Sequence, residues 1–266
     1  MQSSIILRLF LFFAGIMYTQ ILVAKPDSLF VLRRGEYLRM NIHYTIFDAG
    51  TLEIMVDTAY HTVDSKRCLK VSVTGKTTGA LGLLAYVNDL WTSYLDSATL
   101  KPYQFNRVIK ENSFEKEEMT VFDRDLQAAI VTTQEGRSKY YVETYPVTEN
   151  IHDMVSGYLA LRKFDFNSIK KNDTIVQKIF LEDKVYTIKF KYIGKKHLRT
   201  KIGRHKAIIL SPILPENRLF DNGEAITIWM SDDAYRIPLK LQGKLFIGAV
   251  EADIAEFNGY DRKRKK

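Results

Sequence analysis

Leu38-Arg39-Met40-Asn41-Ile42-His43-Tyr44-Thr45-Ile46 alternates apolar and polar side chains without a break. In an extended chain Leu38, Met40, Ile42, Tyr44 and Ile46 share one face, and Arg39, Asn41, His43 and Thr45 share the other. Asp48-Ala49-Gly50 reads as a short turn, after which Leu52, Ile54, Val56, Thr58 and Tyr60 resume the period of two. The two runs predict a hairpin with one buried and one wet face.

The same pattern continues outward. A strand is expected over Cys68 to Thr74, followed by an apolar loop or short helix at Ala80 to Ala85. Further strands are expected from Tyr103 to Asn112, Met119 to Asp123, Leu126 to Thr133 and Tyr140 to Tyr145, with turns at Asp123-Arg124-Asp125 and Gln134 to Arg137. At Ile151, Met154, Val155, Tyr158, Leu159 and Leu161 the period becomes helical, and Asn150 is a suitable cap, so one helix is expected around residues 151–163. Strands return at Val176 to Leu181, Val185 to Ile193, Leu198 to Ile202, Ala207 to Leu210, Ala225 to Met230, Ile237 to Leu241 and Leu245 to Ala252. An open sheet of a dozen or more strands twists and exposes its edges, which favours curling. The predicted fold is therefore all-β with one helix, built as a strongly curved antiparallel sheet or a barrel-like structure.

Ile5 to Ala24 carries one ionised side chain, Arg8, around a dense core of Leu9 to Ala14, and ends in a small residue. This is the order of a secretory signal, so residues 1–24 are expected to be a signal peptide, 25–261 one exported β-rich domain, and 262–266 a basic disordered tail. No later run is apolar enough to span a bilayer, so no transmembrane anchor is expected once the signal is removed. No cysteine lies near the cut, so the protein is expected to be periplasmic or on the outer surface without being a lipoprotein. The one cysteine, Cys68, sits among Leu69, Val71 and Val73 and reads as a core residue. Of the formal net charge of +8, Arg8 contributes one and the last five residues five, leaving +2 for residues 25–261. That balance, with the remaining bases concentrated in Lys195 to Lys206, does not describe a nucleic-acid face.

Motifs for phosphate loops, nucleophile elbows, zinc sites and dithiols are absent, and the five histidines are scattered; neither a metal nor a cofactor is expected. Two patches are candidates for ligand contact. In Asn88 to Asp96, period two places Asp89, Trp91, Ser93 and Leu95 together, either a carboxylate, an indole and a hydroxyl that grip a sugar or polar head group, or a strand whose Asp89 and Ser93 bond neighbouring backbone. In Trp229 to Pro238, Asp232 and Asp233 can form an acid–base pair, or cap their own turn, with Arg236 able to meet either carboxylate. Asp153 and Arg162 are too far apart on the helix to pair and need partners elsewhere. Asp followed by Ser or Thr and a small or aliphatic residue occurs at residues 27, 57, 96 and 173, and resembles an O-glycosylation acceptor of exported Bacteroidetes proteins.

Landmarks recur in a fixed order: Gly35-Glu36, Asp89 to Ser93 with Asp96, Leu100-Lys101-Pro102 with Phe105, Phe122-Asp123, Asp153 to Ser156 running into Leu161-Arg162, and Trp229 to Pro238 before Gly248. Over residues 33–255 the chain resembles the exported bacterial proteins grouped as domain of unknown function 3108. The resemblance implies a β-rich envelope protein of Gram-negative bacteria and supplies no activity. Two functions follow as expectations. One is a non-enzymatic binding or scaffold protein for a lipid or acyl ligand or an envelope partner. The other is an envelope glycan or lipid hydrolase or transferase using Asp232 or Asp233 with Asp89, which requires those carboxylates to share a cleft.

Overall fold

The computed structural model describes residues 32–79, 82, 85–213, 225–245 and 248–259. The signal segment, the basic tail and most of Ala80 to Ala85 lie outside the described residues. Fifteen strands form one sheet. The first half comprises β1 (Tyr37–Tyr44), β2 (Phe47–Val63), β3 (Lys66–Thr77), β4 (Asn88–Asp96), β5 (Pro102–Glu111), β6 (Phe114–Asp123), β7 (Ala128–Glu135) and β8 (Tyr141–Pro146). A two-residue β9 (Ile151–His152) and the helix α1 (Met154–Arg162) follow. The second half comprises β10 (Thr174–Leu181), β11 (Lys184–Thr200), β12 (Gly203–Ile213), β13 (Ile226–Ser231), β14 (Pro238–Lys244) and β15 (Ala249–Phe257).

Each half is a meander, and β1 pairs with β15 to join them. The spatial order therefore starts at β8 and ends at β9, which are neighbours in sequence. Laid flat, fifteen strands would hold their edges roughly 65–70 Å apart. The chain from Pro146 to Ile151 can reach about 18 Å at most. The sheet must curl until its edges meet, and antiparallel twist supplies the curvature. It stays open along this seam, where β8 and β9 do not pair and side chains pack across instead. Phe180 of β10 meets Phe122 of β6 with ring centroids 6.2 Å apart and Tyr145 of β8 at 5.7 Å.

The helix fills one end of the curled sheet. Asp153 is its N-cap: Oδ1 accepts from the amides of Val155 and Ser156 at 2.7 and 2.8 Å, while Ser156 Oγ accepts from the Asp153 amide at 2.9 Å. At the other end Arg162, fully buried, donates to both oxygens of Glu36 at 2.6 and 3.2 Å and twice to the Tyr235 carbonyl at 2.9 and 2.7 Å. Leu161, Phe164, Phe166, Tyr192, Ile208, Leu210 and Met230 form a separate apolar cluster beside this turn and stopper that end. The stoppered end also carries the β2–β3, β4–β5, β6–β7, β11–β12 and β13–β14 connections; the opposite end carries those of β1–β2, β3–β4, β5–β6, β7–β8 and β10–β11.

Four local readings are corrected. The first turn is Thr45-Ile46, with Thr45 at φ 54°, and Asp48 to Gly50 belong to β2. Gly50 is needed inside the strand because a Cβ there would strike the Lys76 carbonyl. Ile46, expected on the buried face, is 87% exposed at the tip. Leu198 to Thr200 continue β11 across a bulge at Tyr192 and Gly194, and the turn is Lys201-Ile202. The helix starts at Met154 and not at 151, because Ile151 and His152 pair in parallel with β10, the one parallel contact among the described strands. Asp153 consequently replaces Asn150 as the cap. Cys68 is buried, as its neighbours implied.

Glu36→Gln removes the charge opposite a guanidinium that has no water to turn to. The expected loss is about 3 kcal/mol in urea unfolding. Replacing both partners by apolar side chains, Glu36→Met with Arg162→Met, is expected to lose less than the single change, since no charge is then left buried without its partner.

Candidate functional site: an apolar cavity beneath the helix

Alternation along each strand sends one set of side chains inward, and α1 fills only the stoppered part of that interior. Between the helix and the open end lies a cavity of about 270 Å³. Met40 and Ile42 of β1, Leu52 and Ile54 of β2, Val73 of β3 and Trp91 of β4 form one wall. Ile188 and Phe190 of β11, with Ile226 and Ile228 of β13 and Leu241 of β14, form the other, while Met154, Val155, Tyr158 and Leu161 form its floor. The lining is almost entirely hydrocarbon, interrupted by Asp89 and Gln177.

Asp89 and Trp91 lie on the cavity wall, as the period of β4 requires. The Asp89 carboxylate accepts from the Lys110 amide at 3.0 Å. Ser93 faces the same interior but touches the helix: its hydroxyl donates to Asp153 Oδ2 at 2.6 Å, tying β4 to the N-cap. Next to Trp91 on the inner wall, Arg107 of β5 is 2% exposed and stacks over the indole at 5.6 Å. It lies 3.5 Å from Glu118 of β6 and 3.7 Å from Glu182 in the β10–β11 turn. This ion cluster fastens the second half of the sheet to the first.

The second sequence patch has a different place. Trp229 is out of step with the cavity-lining Ile226, Ile228 and Met230 and is not part of the wall. Asp232 is held by Lys195 at 2.8 Å and Lys206 at 3.1 Å, and these two ammonium groups keep its carboxyl below the usual range against the effect of burial. Asp233 closes the β13–β14 turn: Oδ1 accepts from Ser231 Oγ at 2.8 Å and from the amides of Tyr235 and Arg236 at 2.9 and 3.2 Å. The Arg236 guanidinium reaches two backbone carbonyls. It donates to the Asp233 carbonyl at 2.9 Å and to the Phe164 carbonyl at 3.1 Å, linking this turn to the stopper. The geometry thus brings Asp89 and Trp91 to the cavity, gives Ser93 to the helix, and uses Asp232, Asp233 and Arg236 to shape the turn. Sequence alone could not reveal Arg107 with Glu118, since Glu118 ends the charged run Glu115 to Glu118 and a lone arginine on a strand reads as solvent-facing.

Residues 39–255 match the family described as Protein of unknown function (DUF3108). The chain belongs to the DUF3108 family. Several landmarks behind that resemblance are the helix anchors themselves, namely Glu36, Ser93, Asp153 and Arg162. In fold this DUF3108 chain is similar to a beta-barrel-like protein of domain of unknown function DUF1849 from Brucella abortus, at 10% identity and a TM-score of 0.56, over 87% of this chain and 100% of that one. A protein with a YmcC-like fold from Bacteroides fragilis aligns over 86% of this chain and 98% of its own, at 10% identity and a TM-score of 0.38. No curated protein matches the sequence.

Two adjacent groups at the head of α1, the half-buried His152 and the buried Asp153, titrate in opposite senses. Burial raises Asp153 from 3.8 to about 6, only partly offset by its hydrogen bonds from Ser93 and the helix amides. Burial, with Lys101 and Arg124, lowers His152 from 6.5 to about 4. Stability contributed by Asp153 is full below its unfolded value and is lost as pH rises through about 6. Stability contributed by His152 is present above 6.5 and is lost as pH falls through about 4. The two slopes oppose each other over the window they share. Asp153→Asn is expected to expose the His152 slope, with urea stability falling by on the order of 2 kcal/mol between about pH 6.5 and pH 4. His152→Gln is expected to give the reverse slope. Identical pH profiles for parent and both variants would contradict these assignments.

Proposed function

We propose that this is an exported, non-enzymatic envelope protein whose interior holds an acyl chain or a comparable apolar ligand. The cavity carries the reading. A volume of 270 Å³ exceeds by far the voids a packed core leaves open, and its lining is almost entirely hydrocarbon. Asp89 and Gln177 are the few polar groups able to meet a polar end, the balance expected of a small-molecule site. The secretory order of residues 1–24 supports delivery to the envelope, where acyl chains are abundant.

The enzymatic alternative needs Asp232 or Asp233 free and facing Asp89. Asp232 is engaged by two lysines, and Asp233 serves its own turn. Binding or a scaffold role with an envelope partner is therefore the reading adopted, with no cofactor required.

Native mass spectrometry of protein isolated from its own cells, followed by lipid extraction, is expected to give a mass increment matching an acyl species. Val73→Phe places a ring in the cavity at a half-buried wall position. It is expected to reduce loading by at least about tenfold while changing unfolding free energy by less than about 1.5 kcal/mol. Ligand-free mass for the parent protein, or equal loading of both, would refute the reading.

A further inference from the structure

We infer that the open end of the sheet docks on a lipid bilayer through apolar side chains at its hairpin tips. Ile46 and Phe47 cap the β1–β2 turn at 87% and 63% exposure. Tyr86 stands on the β3–β4 connection, Phe114 on β5–β6, Tyr140 on β7–β8 and Val185 on β10–β11, all exposed. Five connections at this end thus carry a large apolar group into solvent. At the stoppered end, among the described residues, Leu126 is comparably bare, and Tyr60 is covered by Arg34 and Arg67 at 4.6 and 3.5 Å from its ring.

A two-residue hairpin turn normally takes Asn, Asp or Gly, so Ile46 at this tip does nothing for the turn. Exposed apolar groups concentrated at one end mark an interaction surface. Its form selects the partner. A protein partner requires a contiguous patch of roughly 800 Å² with matching shape. Here the groups project from separate tips spaced around the rim, and neighbouring strand pairs stand about 10 Å apart. A fluid bilayer accepts such separate projections without shape matching; Tyr suits the boundary between head groups and chains, and Ile and Phe the chains beneath it. Charge agrees: Asp48, Glu115 and Glu182 alternate with Lys76, Lys139 and Lys184 on this rim, which fits a zwitterionic surface. The opposite end presents Lys196, Arg199, Lys201 and Arg204 on the β11–β12 hairpin, a pattern suited to anionic phosphates. The two ends therefore predict different salt responses. The docking end is also the end toward which the cavity lies, so a chain leaving the bilayer would meet the interior directly.

The test is flotation of the full protein with phosphatidylcholine–phosphatidylethanolamine vesicles, at about 50 and about 500 mM NaCl. The parent is expected to float equally at both salts. The double variant Ile46→Ser with Phe47→Ser is expected to float at least about fivefold less, with an unchanged melting temperature because both side chains are exposed. Any anchor elsewhere in the chain is common to parent and variant, so their difference carries the result. Equal flotation of the two, flotation only with anionic vesicles and only at low salt, or a dimer in light scattering that the double variant dissociates would each overturn docking through this rim. Acyl loading is read separately by mass spectrometry, so loss of docking with retained ligand, or the reverse, distinguishes this inference from the proposed function.

Discussion

Both ends of one short helix are tied by buried polar groups to strands far away in sequence, and the interior of the molecule is arranged around that fact. Asp153 is bound by Ser93, 60 residues earlier, and Arg162 by Glu36, 126 residues earlier. Such contacts are weak sources of net stability, because polar or ionised groups must first leave water. Their effect is positional. An apolar helix face can slide against an apolar sheet at little cost, whereas a buried guanidinium with a bidentate carboxylate has one acceptable place. With α1 fixed at the stoppered end, the remaining interior stays unfilled and becomes the cavity.

The helix also follows directly from the seam. The chain leaves β8 at one edge of the sheet and, five residues later, forms β9 at the other. That short crossing forces the curl and then directs the chain inward, since β9 pairs through only two residues before Asp153 caps the helix. Phe122, Tyr145 and Phe180 pack over the gap, and Arg107 with Glu118 and Glu182 secures the hairpin beside it. A barrel-like wall results without a closed ladder of hydrogen bonds.

Much of this was legible in the sequence because period two is strong where one sheet face is buried. Leu38, Met40 and Ile42 were placed correctly, as was the shared face of Asp89, Trp91 and Ser93. The errors occur where local pattern and tertiary demand part. Asp48-Ala49-Gly50 has turn composition, yet Gly50 serves close approach to β3 and Ile46 serves no core at all. β9 is too short to have a period. The helix partners Ser93 and Glu36 could not be deduced from spacing along α1, which showed only that Asp153 and Arg162 cannot pair with each other. The cavity was illegible for a simpler reason: an inward apolar side chain reads the same whether it meets another side chain or empty space.

The two tryptophans make the interior directly measurable, since Trp91 lines the cavity and Trp229 does not. In a Trp229→Phe protein every indole signal comes from Trp91. Titration with a fatty acid carrying bromine on its chain is predicted to quench that emission saturably, at about one ligand per chain. Emission from Trp91 that is unaffected, or that falls only in proportion to added quencher without saturation, would contradict an acyl-binding interior.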